Sequence, residues 1–164
     1  MRTSYRRILA TLPAIAIMIA IFLFSAQTAA KSNQSSDWVV GNVVDAINQM
    51  RDEAIHISDQ TIHVMTFIVR KLAHTLEYAG LGFWICFAIY ENGVKGKKLG
   101  FAILISFVYA CTDELHQKFV PGRSCEFRDV LIDTNGAFLG YLFFLLSLRI
   151  IHRIRSKKGK DTAQ

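Results

Sequence analysis

The 164-residue chain is 52% hydrophobic and carries a formal charge of +6, with a mean hydropathy of +0.29. That length allows one domain, and the apolar residues gather in long blocks that point to a membrane rather than to a soluble core. The basic residues flank those blocks, which excludes nucleic acid as the expected partner; Cys86, Cys111 and Cys125 have no metal-finger spacing and read as inert buried thiols.

Arg2, Arg6 and Arg7 precede the first block, Ile8 to Ala26, broken only by Thr11, Pro13 and Ser25. At 1.5 Å per residue it covers about 28 Å, the thickness of a bilayer core. It exceeds the roughly 7–15 residues of a signal-peptide core, so a spanning helix is preferred over cleavage near Ala30. Residues 27–66 are mixed and polar. Lys31 to Asp37 reads as a Ser/Asn-rich turn. Val40, Val43, Val44, Ile47 and Met50 then share a helical face, which predicts a short amphipathic helix on the membrane surface or capping the bundle.

The second spanning block is Leu72 to Tyr90, entered through Arg70 and Lys71 and interrupted near its start by His74 and Glu77. A polar turn with three lysines, Glu91 to Lys98, leads to the third block, Leu99 to Thr112. That block covers only about 21 Å, so it must continue through Asp113 and Glu114 to about Gln117 to span. Val130 to Ile150 is the fourth block, and a basic tail follows. Of the 19 Lys and Arg, 12 lie in the N-terminal, Lys95–Lys98 and C-terminal groups, whereas all 13 acidic residues except Glu91 and Asp161 lie elsewhere. The positive-inside rule then gives four spanning helices with both termini in the cytoplasm. The expected fold is an all-α, four-helix integral membrane bundle with an additional amphipathic helix in the first extracytoplasmic loop.

This topology places every intramembrane ionisable group in one layer at the outer face. His74 and Glu77 sit at i, i+3 on one helix; Asp113, His116 and Gln117 form a stripe with Ser106 and Tyr109; Asp129 and Asp133 share a stripe with Gly136 and Gly140. Such groups are costly in a membrane, about 2.5–3.5 kcal/mol each at a helix centre on insertion scales, which makes them functional candidates by default. Glu114 points about 100° from Asp113 and is expected to meet Lys118 or a basic group of the loop. Pro121-Gly122 favours a fixed turn that aims Arg123.

Three readings of the layer compete. It serves as a salt-bridge network between helices, with Arg123 or Arg128 neutralising Asp residues. It forms a metal or acid–base site from the His74/Glu77 and Asp113/His116 pairs, a spacing helix bundles use for metals. Or it forms a pocket for an anionic or amide-rich headgroup, with Arg123 on the anion. The third is preferred, and no metal ligand or cofactor is assigned. A transporter is disfavoured, because four short helices carry no broken-helix repeat.

Residues 70–78 (Arg-Lys-Leu-Ala-His-Thr-Leu-Glu-Tyr), residues 112–123 (Thr-Asp-Glu-Leu-His-Gln-Lys-Phe-Val-Pro-Gly-Arg), then Asp129 and Asn135-Gly136, carry a resemblance to the VanZ-like family of bacterial membrane proteins. Phe24-Ser25-Ala26-Gln27 is similar to that family's first outer turn, which argues against signal cleavage. The resemblance covers roughly residues 8–150 and implies one membrane domain over 1–150 (helices 8–26, 72–90, 99–117 and 130–150), followed by a basic cytoplasmic tail at 151–164. It implies a bacterial cytoplasmic-membrane location, an envelope role and a link to low-level resistance to teicoplanin-type glycopeptides. It implies no settled reaction. The expected partner is a membrane lipid or lipid-linked cell-wall precursor. The candidate catalytic residues are His74, Glu77, Asp113 and His116, and the candidate ligand-binding residues are Glu114, Gln117, Arg123, Asp129 and Asp133. The competing class is a non-enzymatic interaction protein that modulates cell-wall assembly.

Overall fold

The structure is a computed structural model and describes residues 2–50 and 57–161. It contains α1 (Arg2–Ser25), α2 (Ala29–Gln49), α3 (Asp59–Glu91), α4 (Phe101–Gln117) and α5 (Phe127–Asp161), with a 3-10 turn, Gly96–Gly100, leading into α4. No strand occurs among the described residues. Four stretches, Tyr5–Ser25, Asp59–Glu91, Gly96–Gln117 and Phe127–Ser156, are long and apolar enough to cross a membrane. Their outward faces carry Ile19, Leu104, Val108, Leu139 and Phe143, which are 54–62% exposed. A contiguous apolar surface of this kind is what lipid contact requires and what a soluble monomer avoids. The all-α class and its four spans are thus as the hydropathy blocks imply.

Consecutive spans alternate in direction. Arg6 pairs with Glu91, and Met18 accepts a hydrogen bond from Tyr109 through its carbonyl, so α1 runs against α3 and alongside α4. Lys71 reaches Asp129, and His74 faces Asp133, so α3 and α5 run parallel. Their contact is the most extensive in the bundle. Small residues make it possible: a Cβ on Gly136 would collide with the Thr75 carbonyl, one on Gly140 with the Ala79 carbonyl, and one on Gly82 with the Ala137 carbonyl. The two backbones therefore touch along a seam that only glycine permits.

Three elements depart from the sequence reading. α3 begins at Asp59, where Ser58 caps it by accepting from the Thr61 amide, so the apolar block from Leu72 is the second part of a 33-residue helix about 50 Å long. α5 continues without a break past Ile150 to Asp161. The Ser/Asn-rich stretch is helical rather than a turn, because α2 already starts at Ala29, capped by the Thr28 hydroxyl. Within it, Ser35 and Ser36 donate to the carbonyls of Lys31 and Ser32, four residues back, and so satisfy their hydroxyls inside the helix.

α2 is held against α3 by Thr66 donating to Asp37 at 2.6 Å and Arg70 donating to Asn33 at 2.8 Å. Asn33, Ser36, Asp37 and Val40 form this contact face at i, i+3, i+4 and i+7. Of the expected apolar face only Val40 is buried, while Val43, Ile47 and Met50 are exposed. Cys86 is buried and Cys111 half-buried, but Cys125 is exposed in the α4–α5 loop, so it is not the buried thiol the composition suggests.

Candidate functional site

The polar layer lies where the C-termini of α1 and α4 and the N-terminus of α5 meet the middle of α3. Asp113, Glu114, Gln117 and Asp133 are buried there at 2–5% exposure, in segments that are otherwise apolar. Asp113 is the hub. Its Oδ2 accepts from Ser25 Oγ at 2.9 Å and from Gln117 Nε2 at 3.0 Å. Gln117 in turn accepts from Arg123 at 2.9 Å. Arg123 completes the chain by donating to the carbonyls of Gln27 at 2.9 Å, just beyond α1, and of Phe24 at 3.3 Å, in its last turn.

The α4–α5 loop is shaped to deliver that guanidinium. The Arg123 amide donates to the Val120 carbonyl at 3.1 Å, closing a four-residue turn with Pro121 second and Gly122 third. Gly122 has φ +77°, the left-handed value that this turn demands of its third residue. The Pro121 carbonyl then accepts from the Ala29 amide, tying the loop to the start of α2.

Glu114 faces away from Asp113, as helix geometry requires, but its partner is neither Lys118 nor any cation. Its Oε2 accepts from the Glu126 backbone amide at 3.0 Å. Lys118 is the exposed C-cap of α4, where the chain leaves the helix, and so lies outside the buried layer. Glu114 thus supports the entry into α5 by satisfying the amide of Glu126, the residue just before the helix.

On the α3 side, Lys71 forms a half-buried ion pair with Asp129. His74 Nδ1 stands 4.0 Å from Asp133 Oδ1. Glu77 Oε2 is buried without a hydrogen-bond partner, as are His74 Nδ1, Asp113 Oδ1 and Asp133 Oδ2. His116 sits on the flank of α4 that meets α1: its ring stacks on Phe22 with centroids 4.6 Å apart, and its Nε2 is buried with no hydrogen-bond partner. The structure therefore brings together eight of the nine nominated residues and turns His116 toward α1.

Two clefts open on this layer. One, of about 170 Å³, lies between Ser32, Ser35 and Ser36 of α2 and Arg70, His74 and Glu77 of α3, with Arg123 on its wall. The other, of about 90 Å³, is lined by Lys71, Gln117, Ser124, Glu126 and Asp129, and shares Arg70, His74 and Arg123 with the first. Among the described residues, neither Arg70 nor Arg123 has a carboxylate within ion-pair distance; their hydrogen bonds go to the neutral oxygens of Asn33, Gln27, Phe24 and Gln117. Burial and the neighbouring Arg70 charge both pull the Arg123 guanidinium below its ordinary pKa. A third cleft, about 610 Å³, lies at the opposite end of the bundle among Tyr90, Lys95, Tyr141 and Arg149 and contains no nominated residue.

The residues that build the layer, from Ser25 to Asp133, fall inside the segment matched by the sequence model of one family, VanZ/LLP1, which covers residues 10–149. The chain belongs to the VanZ/LLP1 family. No curated protein and no solved structure gives a significant match to it. In this VanZ/LLP1 chain the candidate site spans all four membrane-length helices, so the family match and the polar layer cover the same unit.

Three participants, Arg70, Lys71 and Ser25, were not among the nominated residues. Lys71 reads from the sequence as a flank of the second block, yet it precedes His74 by three and Tyr78 by seven, which places it on the same helix face. Ser25 lies 88 residues from Asp113, and no periodicity connects them. Its only signal was the Phe24-Ser25-Ala26-Gln27 phrase of the family resemblance.

Proposed function

We propose that this VanZ/LLP1 protein receives the anionic headgroup of an envelope lipid or lipid-linked cell-wall precursor in the paired clefts. One observation carries this reading: Arg70 and Arg123 line a common cleft and are hydrogen-bonded only to neutral oxygens. Two guanidiniums lining one cleft with no carboxylate in ion-pair contact repel, and a phosphate or carboxylate between them removes that repulsion while offering bidentate acceptors. Ser32 and Ser35 supply hydroxyls, and Glu77 and His74 supply groups for headgroup hydroxyls or proton handling. In this reading the site faces the outer side of the bacterial cytoplasmic membrane, both termini are cytoplasmic, and a teicoplanin-type resistance phenotype follows from headgroup capture or modification.

A second reading rests on the Ser25–Asp113–Gln117–Arg123 chain, which links α1, α4 and the loop and is suited to locking helices. Under it, the protein modulates cell-wall assembly through helix contacts and binds no headgroup. Arg70→Gln separates the two, because among the described residues the Arg70 side chain makes a single hydrogen bond, to Asn33, and lies outside that chain. Protein in nanodiscs containing phosphatidylglycerol or a polyprenyl phosphate should retain the anionic lipid through native mass spectrometry. Arg70→Gln should lose that retention while the melting temperature falls by no more than one exposed hydrogen bond accounts for, about 1 kcal/mol. Equal retention of phosphatidylcholine, or unchanged retention by Arg70→Gln, would favour the helix-locking reading.

A further inference from the structure

We propose that His74, Asp113 and Asp133 hold a divalent first-row transition-metal ion behind the clefts, which His74 lines. The three residues come from α3, α4 and α5, and one ligand atom of each lies within 4.8 Å of the others. Ligands about 2.1 Å from one ion stand about 3.0–3.4 Å apart, so the set is within a small side-chain adjustment of coordination. The 4.0 Å between His74 Nδ1 and Asp133 Oδ1 is too long for a hydrogen bond and near the spacing of two ligands sharing an ion.

The second observation is the state of the ligand atoms. Asp113 and Asp133 are 3% and 2% exposed. Asp113 Oδ1, Asp133 Oδ2 and His74 Nδ1 are all buried with no hydrogen-bond partner. Two carboxylates placed this deep are stable in ionised form only with a compensating cation, since the effective cost of burying each ion unpaired is several kcal/mol. The nearest protein cations are committed elsewhere: Lys71 to Asp129, and Arg123 to carbonyl and amide oxygens. A proton on a carboxyl would neutralise its charge but would leave His74 Nδ1 without a partner. An ion accounts for the nitrogen and both carboxyls at once.

The surroundings fit such a centre. Ser25 and Gln117 donate to Asp113 Oδ2 and fix the orientation of that carboxyl, the role outer partners play around metal ligands. The glycine seam of α3 and α5 holds His74 and Asp133 on two rigid backbones in contact. One imidazole with two carboxylates suits Zn²⁺, Mn²⁺ or Fe²⁺ better than an oxygen-only or thiolate-preferring ion. Three protein ligands leave a coordination position open, as in catalytic rather than structural sites. His74 also lines both clefts, which puts that position within reach of a bound group. The sequence spacing had paired His74 with Glu77 and Asp113 with His116; the fold instead selects one residue from each of three helices. The proposal holds whichever headgroup the clefts receive.

The test uses full-length protein purified in detergent without a histidine tag, stripped with EDTA and dialysed against ZnCl₂. About one zinc per chain should remain by plasma mass spectrometry. His74→Gln and Asp133→Asn should lose it, and Ser25→Ala should weaken binding by about tenfold through the freed Asp113 carboxyl. Melting the variants beside stripped wild type in EDTA checks their folding. CoCl₂ added to stripped wild type should give the visible ligand-field bands of a nitrogen–oxygen site, a reading that depends on no variant. Absence of those bands, or zinc loading by folded Asp133→Asn equal to wild type, overturns the proposal.

Discussion

Ser25 Oγ donates to Asp113 Oδ2 at 2.9 Å, joining the last residue of α1 to the buried carboxyl of α4. Ser25 has no exposed surface, so no water can replace it without rearrangement. This bond makes α1 part of the site rather than a separate anchor.

Ser25→Ala should therefore lower the melting temperature in detergent, by the equivalent of about 1–3 kcal/mol for a buried acceptor deprived of a donor. Thr112→Ala is the control, because its exposed hydroxyl donates only to the Tyr109 carbonyl of its own helix. Its effect should stay within about 0.5 kcal/mol. Equal melting temperatures for the two variants would show that the Ser25 bond carries no stability.

The Lys71–Asp129 pair is half-buried on both sides. Lys71→Met leaves Asp129 only its longer contact with Arg128, at 3.9 Å, and should destabilise the fold by up to about 3–5 kcal/mol, less as Arg128 and water compensate the charge. Adding Asp129→Leu should restore much of the loss, since an apolar pair of similar volume replaces the ion pair. A double variant that melts lower than Lys71→Met would contradict this account.

Gly140 lies beyond the polar layer yet sets its width. An alanine there meets the Ala79 backbone carbonyl, and backbone cannot rotate away as a side chain can. Gly140→Ala should cost about 1–3 kcal/mol or more by forcing α3 and α5 apart. Gly41→Ala in α2 meets nothing within 4 Å and should be neutral or slightly stabilising, by about 0.5–1 kcal/mol. Thermal unfolding of both variants in one detergent compares them directly.

Topology is open to chemical labelling. With Cys125 first replaced, cysteines at Ser35 and Ser124 should react in intact cells with an impermeant thiol reagent, while one at Ser156 should not. All three positions are exposed. Reaction at Ser156 alone would invert the arrangement and place the clefts on the cytoplasmic side.

The spans and the shared level of their ionisable groups were legible because both depend on local quantities, hydropathy over about twenty residues and charge at the flanks. The Pro121-Gly122 turn was legible for the same reason. The reach of α3 back to Asp59 was not, because residues 59–70 owe their helicity to the Ser58 cap and to α2 packed against them, not to hydropathy. The partner of Glu114 escaped as well. A backbone amide has no side-chain signature, so charge complementarity pointed to Lys118 instead. His116 shares a stripe with Asp113 in sequence, but which flank of that stripe meets α1 is decided only when Phe22 occupies it.

Arg123 commits three of its N–H groups to Gln27, Phe24 and Gln117. A guanidinium carries five such donors, so two remain for anything arriving in the cleft. A free arginine loses roughly 2 kcal/mol of rotamer freedom when a ligand immobilises it, but here that loss falls on folding instead. Recognition at this position is accordingly closer to a lock that waits than to a hand that closes. Selectivity among headgroups then rests on where their acceptor atoms lie, because the receptor has little freedom left with which to follow them.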